Sequence, residues 1–338
     1  MARKDESVTM ADVGARAGVT ARTVSNVLSG HTSVRPETRD RVLRAVDDLG
    51  YRLNTSARSL RTGRTGTITL AIPDLTIDYF IDLARRIMTE AERHDWTVVI
   101  QQTGARRENE IAILSGARRQ HSDGLIFQPH ALGPGDERHL TGNDRLVILG
   151  ERIFRGPVDH VTMANTEAAR LATQHLVDRG HRRIAAIGAN PRVATTSAAS
   201  LRLDAFRDTL AENGLSLPAE YVITAEEWHL RDGAAGMARL LGLPQPPDAV
   251  FCFNDTMAFG ALHALAARGA RVPDDVAVIG FDNVAMAEFT TPPLTTIEPG
   301  TAQVAKQAVD MLAARVAGRG TPPTEVLTDY SLVVRKSA

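Results

Sequence analysis

Cysteine is nearly absent. Cys252 is the sole one in 338 residues, which excludes an intramolecular disulfide and any metal site built from several thiolates. It stands between Phe251 and Phe253 in an apolar run, where a buried and inert thiol is expected. Aromatic residues make up 4% of the chain, so the few that gather at a binding site carry weight. No apolar run approaches the ~18 residues that a membrane-spanning helix needs, so no span and no membrane partner are expected. The first residues, Met-Ala-Arg-Lys-Asp-Glu-Ser, lack the apolar core of a signal peptide. A cytoplasmic, nucleoid-associated location is the expectation. Catalytic signatures are missing as well: no G-x-S-x-G, phosphate loop, G-x-G-x-x-G after a strand, or H-E-x-x-H occurs. The histidines are scattered. Nothing points to an enzyme, a cofactor or a bound metal.

What is present is unevenly charged. Residues 1–66 carry 12 basic and 7 acidic residues, while the rest carries 27 basic and 33 acidic. A basic head on an acidic body suggests a nucleic-acid module joined to something else. Within the head, Thr9 can cap a helix, and Asp12 sits three residues on, where a carboxylate suits a helix N-terminus. Met10, Val13 and Ala17 recur on one helical face. Gly18 stops that helix. Thr20 can cap a second, with Val24, Val27 and Leu28 on its apolar face and Ala21, Arg22, Ser25 and Asn26 opposite. Short or hydrogen-bonding side chains there leave room for a base edge. This is helix-turn-helix grammar, in which the second helix lies in the DNA major groove. A plain helical hairpin packed on another element has the same pattern. A third helix is expected from Pro36, striped by Val42, Ala45, Val46 and Leu49 and ended by Gly50, with Tyr51 folding back over the core.

Residues 52–66 form a basic linker with a short helical pattern near 55–61. Alone, a helix that short is unstable in water, because nucleation costs more than one or two turns return. From residue 67 the pattern alternates. Strand-like runs occur at 67–72, 96–100, 124–127, 146–149, 183–187, 249–253 and 276–279, and a last one at 332–334. Helical patterns occur at 79–93, 107–120, 166–179, 200–213, 231–241, 256–268 and 301–317. That βαβ order predicts parallel sheets covered by helices. Some 270 residues exceed one comfortable sheet, so two Rossmann-like lobes are expected, with ligands beyond the carboxyl ends of the strands.

The ordered motifs resemble the lactose-repressor (LacI/GalR) family of transcription regulators. They include Asp12-Val13, Ala17-Gly18-Val19, Thr23-Val24-Ser25, Leu49-Gly50-Tyr51, Ala57-Arg58-Ser59-Leu60 and Ser122-Asp123-Gly124-Leu125-Ile126. They continue with Gly180-His181-Arg182-Arg183-Ile184, Asn254-Asp255, Gly280-Phe281-Asp282 and Pro293-Leu294-Thr295-Thr296-Ile297. The resemblance implies an all-α helix-turn-helix head over 1–52 and a hinge helix and linker over 53–66. It implies an α/β periplasmic-binding-protein-like body over 67–338. Lobe 1 would take about 67–165 and 298–324, and lobe 2 about 166–297 and 325–335. It further implies a repressor that binds a pseudo-palindromic, double-stranded operator as a homodimer under control of a small effector. With no heptad tail after 334, a dimer is expected rather than a tethered tetramer.

By that resemblance Ala21, Arg22 and Asn26 read bases. Thr20, Thr23 and Ser25 contact phosphate or cap. Ala57 and Leu60 belong to the hinge, with Leu60 wedging into the minor groove. Effector contacts fall to Tyr79, Phe80, Arg152, Arg202, Trp228, Asn254 and Asp282. Flat aromatic faces with paired donors and acceptors suit a sugar, or a phosphorylated or modified sugar. The Tyr79-Phe80 pair also resembles purine-responsive members. Each has a plainer reading: Phe80 in the core, Trp228 as a plug, Arg202 in an ion pair, Asn254 and Asp282 as caps. A sugar-binding protein without DNA activity and an effector-independent architectural DNA binder are the remaining alternatives; the basic head argues against the first and the two-lobed body against the second.

Overall fold

A computed structural model describes residues 8–28, 33–52, 64–116, 122–190, 196–320 and 322–338. The chain divides into two compact units, 1–65 and 66–338. In the first, α1 (Met10–Ala17) opens on Thr9, whose hydroxyl accepts from the Asp12 amide while the Asp12 carboxylate accepts from the Thr9 amide. This reciprocal box satisfies donors that the helix cannot. Gly18 ends α1 in the left-handed region, at φ 67°. After it, α2 (Ala21–Leu28) starts with the Thr20 hydroxyl 3.2 Å from the Thr23 amide. Next comes α3 (Pro36–Leu49), with proline in its first turn. Arg35 precedes it without a side-chain cap. Val13, Ala17, Val24, Val27, Val42, Ala45 and Tyr51 close one small core.

The body holds two six-stranded sheets. The first contains β1 (Thr67–Ile72), β2 (Thr97–Gln102), β3 (Gly124–Phe127), β4 (Leu146–Leu149), β5 (Asp159–Met163) and β11 (Glu325–Thr328). Their order is β11-β5-β4-β3-β1-β2, parallel throughout. Ile68, Leu70 and Ile72 point to α4 (Asp78–Glu92) and α10 (Thr301–Val316), and Ala71 to the face that meets α5 (Arg107–Leu114). Both faces are covered, which is why β3 and β4 read as unbroken apolar runs and β1 as one broken only by threonine.

The second sheet contains β6 (Ile184–Ala189), β7 (Val222–Thr224), β8 (Ala249–Cys252), β9 (Ala277–Phe281), β10 (Thr295–Glu298) and β12 (Ser331–Val333). Its order is β12-β10-β9-β8-β6-β7, with β12 antiparallel to β10. Around it lie α6 (Asn165–Asp178), α7 (Ala198–Glu212), α8 (Leu230–Leu241) and α9 (Asp255–Ala267). Cys252 is fully buried in this core, where burial pushes its thiol far above the ordinary range.

Two expectations need correction. Residues 325–335 do not pass together into the second lobe. Residues 325–328 pair with β5 in the first sheet, from Glu325 with His160 to Thr328 with Met163, so the last crossing falls at 329–330. And β5, β7, β10 and β11 are strands that hydrophobic runs did not reveal. Thr and charged residues occupy several of their positions, and some of their polar groups are paired far along the chain: Arg315 holds Asp159 at 2.7 and 2.8 Å, and Thr328 donates to Pro299 at 2.8 Å.

A candidate DNA-facing helix and a candidate effector cavity

On α2, Val24 and Val27 are buried against the head's core. Thr20, Ala21 and Arg22 are exposed; Thr23, Ser25 and Asn26 are partly so. Ala21, Arg22, Ser25 and Asn26 occupy i, i+1, i+4 and i+5, one helical face. The Arg22 guanidinium forms no hydrogen bond or ion pair with another described residue, which leaves its donors for an outside acceptor. Thr20 caps α2 and shares a 3.0 Å hydroxyl contact with Thr23. Ala57 and Leu60 lie outside the described residues.

In the body, a cavity of about 270 Å³ opens between the two lobes. All seven effector candidates line it: Tyr79, Phe80, Arg152, Arg202, Trp228, Asn254 and Asp282. The fold explains the convergence. Arg152 follows β4, Trp228 follows β7, Asn254 follows β8 and Asp282 follows β9, while Tyr79 and Phe80 open α4, the helix after β1. Strand ends of both sheets thus face one crevice, where open α/β sheets bind ligands.

The seven are not equivalent. Arg202 is buried, with Nε donating to Asn165 at 2.8 Å and Nη1 donating to the Phe253 carbonyl. Its guanidinium lies 3.5 Å over the Phe281 ring and 5.5 Å from that of Trp228. Asn254 is consumed at both ends: Oδ1 accepts from the Met257 amide at 2.8 Å and Nδ2 donates to the Trp228 carbonyl at 3.0 Å. It is a helix cap and a loop anchor. Trp228 has φ 62° and donates from Nε1 to the Gly188 carbonyl at 2.9 Å. Tyr79 and Phe80 meet edge-to-face at 5.1 Å. Arg152 donates from Nε to the Leu132 carbonyl at 3.1 Å and from Nη1 to the Thr196 carbonyl, across the crevice, at 2.7 Å.

Asp282 differs. It is buried, and it accepts no hydrogen bond through its side chain from another described residue. Burial drives its carboxyl well above the usual range, although the Arg202 charge pulls the other way. Its φ is 117°. A non-glycine residue there costs on the order of 1–3 kcal/mol, and such strain collects at ligand sites. A carboxyl that accepts from no other described side chain or amide, on a strained backbone and lining a cavity, is open to a ligand's donors.

Sequence reasoning missed the lining residues Glu151 and His229, and a lobe-to-lobe contact of Thr256 outside the lining. Glu151 accepts from the Ala198 amide, the first of α7, at 3.0 Å. His229 reaches Asp74 and Thr76 of the other lobe, each at 3.0 Å. Thr256 donates to Asp78 at 3.0 Å. These contacts bridge the lobes, and no local pattern marks them because the partners lie 47 to 178 residues apart. Glu151 carried a partial signal, as the acid directly before Arg152. Among the described residues no cluster of side chains is suited to hold a metal ion, and no helix is long and apolar enough to cross a membrane.

Residues 9–54 match the family model for bacterial regulatory proteins of the lacI family, and residues 173–338 match a periplasmic binding protein-like domain. The chain is 32% identical to the HTH-type transcriptional regulator CelR of Thermobifida fusca, covering 97% of this chain and 98% of that one. The solved complex of the transcriptional regulator CelR with cellobiose superposes with a TM-score of 0.70 at 28% identity, over 98% and 100% of the two chains. The lac repressor dimer bound to operator and the anti-inducer ONPF gives 0.79 at 27% identity, over 98% and 99%.

Proposed function

Since the chain belongs to the LacI family of DNA-binding transcription regulators, we propose that it is a repressor whose grip on operator DNA is set by a small, sugar-like effector in the crevice between its lobes. The observation that carries this reading is the cavity: seven residues far apart in sequence line one crevice of a chain whose separate head carries an exposed recognition face. The relatives add support, one of them solved with cellobiose and another on operator with an anti-inducer.

In this mechanism the homodimer places two α2 helices in successive major grooves of a pseudo-palindromic site. Arg22, Ala21 and Asn26 read bases, while Thr20, Thr23 and Ser25 set register on phosphates. The effector sits between Trp228 and Phe80 and donates to Asp282. Its contacts with both lobes favour one lobe arrangement, and it shifts operator affinity by its differential affinity for the two states, typically about 1–3 kcal/mol of coupling. The dimer is supported by an apolar strip on lobe 1: Ile81 and Met88, one heptad apart on α4, and Val99 on the edge strand β2 are all exposed. The site of action is cytoplasmic DNA.

Selection of bound fragments from genomic DNA with the full chain tests the proposal, followed by gel shifts with a sugar panel. The expected result is a two-half-site footprint that a sugar weakens or strengthens several-fold. Binding without sequence preference would sink the regulator reading. Specific binding that no sugar alters would sink the effector reading alone. Arg22→Ala should lower operator affinity about 10-fold or more, because a base-reading arginine contributes about 1–3 kcal/mol. Unchanged affinity would remove Arg22 from the interface.

A further inference from the structure

We infer that the cavity selects an effector without negative charge, a neutral or ammonium-bearing polyhydroxylated molecule, and rejects its phosphate ester, with Glu151 as the main barrier. The inference rests on the cavity's being the effector site and concerns the ligand's charge alone. Among the described residues, Asp74, Glu151, Glu226, Glu227 and Asp282 face the space, against two guanidiniums and the imidazoles of His130 and His229.

Neither guanidinium is placed to grip a phosphate. Such recognition uses the two-pronged fork of arginine donors. Arg152 turns Nε and Nη1 to backbone carbonyls and lies near Glu151, Glu110 and Asp136. Arg202 commits Nε and Nη1 to Asn165 and Phe253, lies face-on to Phe281, and has Asp282, Glu151 and Asp255 as charged neighbours. Each positive charge is therefore offset from within the protein.

The other usual cradle for an anion is a helix N-terminus. The start of α7 does line the cavity, through Ser197, Ala198 and Ala199. Glu151 already holds the Ala198 amide at 3.0 Å, and the Ser197 hydroxyl holds that of Ser200 at 3.1 Å. The protein's own carboxylate thus occupies the place a phosphate would take. A phosphorylated ligand would need to displace it and then lie beside it. A hydroxyl or ammonium group has the opposite relation to these walls, since the Asp282 carboxyl lines the cavity and accepts no hydrogen bond from another described residue.

The test works whatever the effector proves to be. The chain has two tryptophans, so in a Trp96→Phe variant Trp228 is the single indole and reports from the cavity wall. Its fluorescence is quenched with iodide and with caesium at fixed ionic strength, in the full-length protein. Local fields of a few kT concentrate counter-ions about tenfold or more, so caesium is expected to quench at least about twice as effectively, relative to free tryptophan. Glu151→Gln should narrow that ratio, and Asp74→Asn on the opposite wall provides the same readout if Glu151→Gln fails to fold. Iodide quenching equal to or stronger than that of caesium would overturn the inference. So would a phosphate ester, such as glucose 6-phosphate, that stabilises the chain against heat more than glucose does. The reverse order supports it. None of these readouts involves DNA, so failure here is separable from failure of the regulatory reading.

Discussion

At the residue scale, Asn254 and Asp282 look alike in sequence, each a small polar residue just after a strand, and the structure separates them. Both ends of the Asn254 amide are committed to the protein, to the Met257 amide and the Trp228 carbonyl. Asn254→Ala should therefore cost stability of about 1–2 kcal/mol through the lost cap, visible as a lower Tm without ligand. Asp282→Asn should leave the ligand-free Tm nearly unchanged and weaken effector binding about tenfold or more, the loss of a charge-assisted hydrogen bond. A large Tm drop in Asp282→Asn would reverse the assignment. Asp255 shows a third case, a buried carboxyl that is structural. It accepts from the Thr296 hydroxyl at 2.5 Å and the Val284 amide at 3.0 Å, tying β10 and the loop after β9 to α9. Burial pushes its pKa up from 3.8 to about 7. A carboxyl raised in the folded state holds its proton there longer than in the unfolded state. Its contribution is therefore full below about pH 4 and lost as pH rises through 7. The Tm of the wild type relative to Asp255→Asn should thus rise as pH is lowered from 8 to 5. A difference independent of pH would show that Asp255 does not titrate in that range.

At the scale of elements, legibility followed burial. Strands sealed on both faces, such as Leu146–Leu149 with all four residues buried, are readable as apolar runs. Helix limits were legible to within a few residues wherever glycine or a capping residue marked them, as at Thr9, Gly18 and Gly50. What stayed hidden were strands made acceptable by partners elsewhere in the chain. Asp159 and His160 of β5 read as a loop until Arg315 and Glu325, 156 and 165 residues later, pair with them. The seven cavity residues were legible through a family pattern, whereas the contacts that bridge the lobes were not, because a hydrogen bond between distant segments leaves no local period. One element carries a sharp prediction. Gly14 faces the turn between α1 and α2, and a Cβ there would stand 2.7 Å from the Val19 carbonyl oxygen. That oxygen is backbone and cannot swing aside. Gly14→Ala should push α2 away from α1, melt the head at lower temperature and abolish specific DNA binding, while the body's melting transition stays in place. A head that still binds operator normally would mean the turn relaxes without moving α2.

At the scale of the whole molecule, the crevice is held by a few hydrogen bonds that join lobes otherwise built as separate cores. One links Thr256 at the start of α9 to Asp78 at the start of α4; another links Arg152 to the Thr196 carbonyl. Each is worth about 0.5–1.5 kcal/mol net, comparable to the coupling energy that moves a two-state regulator. On the proposed reading, that similarity would make the lobe arrangement responsive, since a ligand offering two or three contacts to both walls would outweigh the latches or add to them. The balance is tested with Thr256→Val, which keeps a β-branched side chain of similar shape and removes the donor to Asp78. If the bridged arrangement is the one the effector prefers, the variant should bind effector a few-fold more weakly and respond to it less at the operator, with basal DNA affinity altered in the sense opposite to the effector's own effect. Isothermal titration for the ligand and gel shifts for the DNA would measure both sides of that linkage. A shift of the lobe equilibrium changes each affinity by no more than the free energy of the lost bond. A change in basal DNA affinity in the same sense as the effector's own effect would mean that Thr256 acts on each site separately, and that the lobes are not the element through which the two sites communicate.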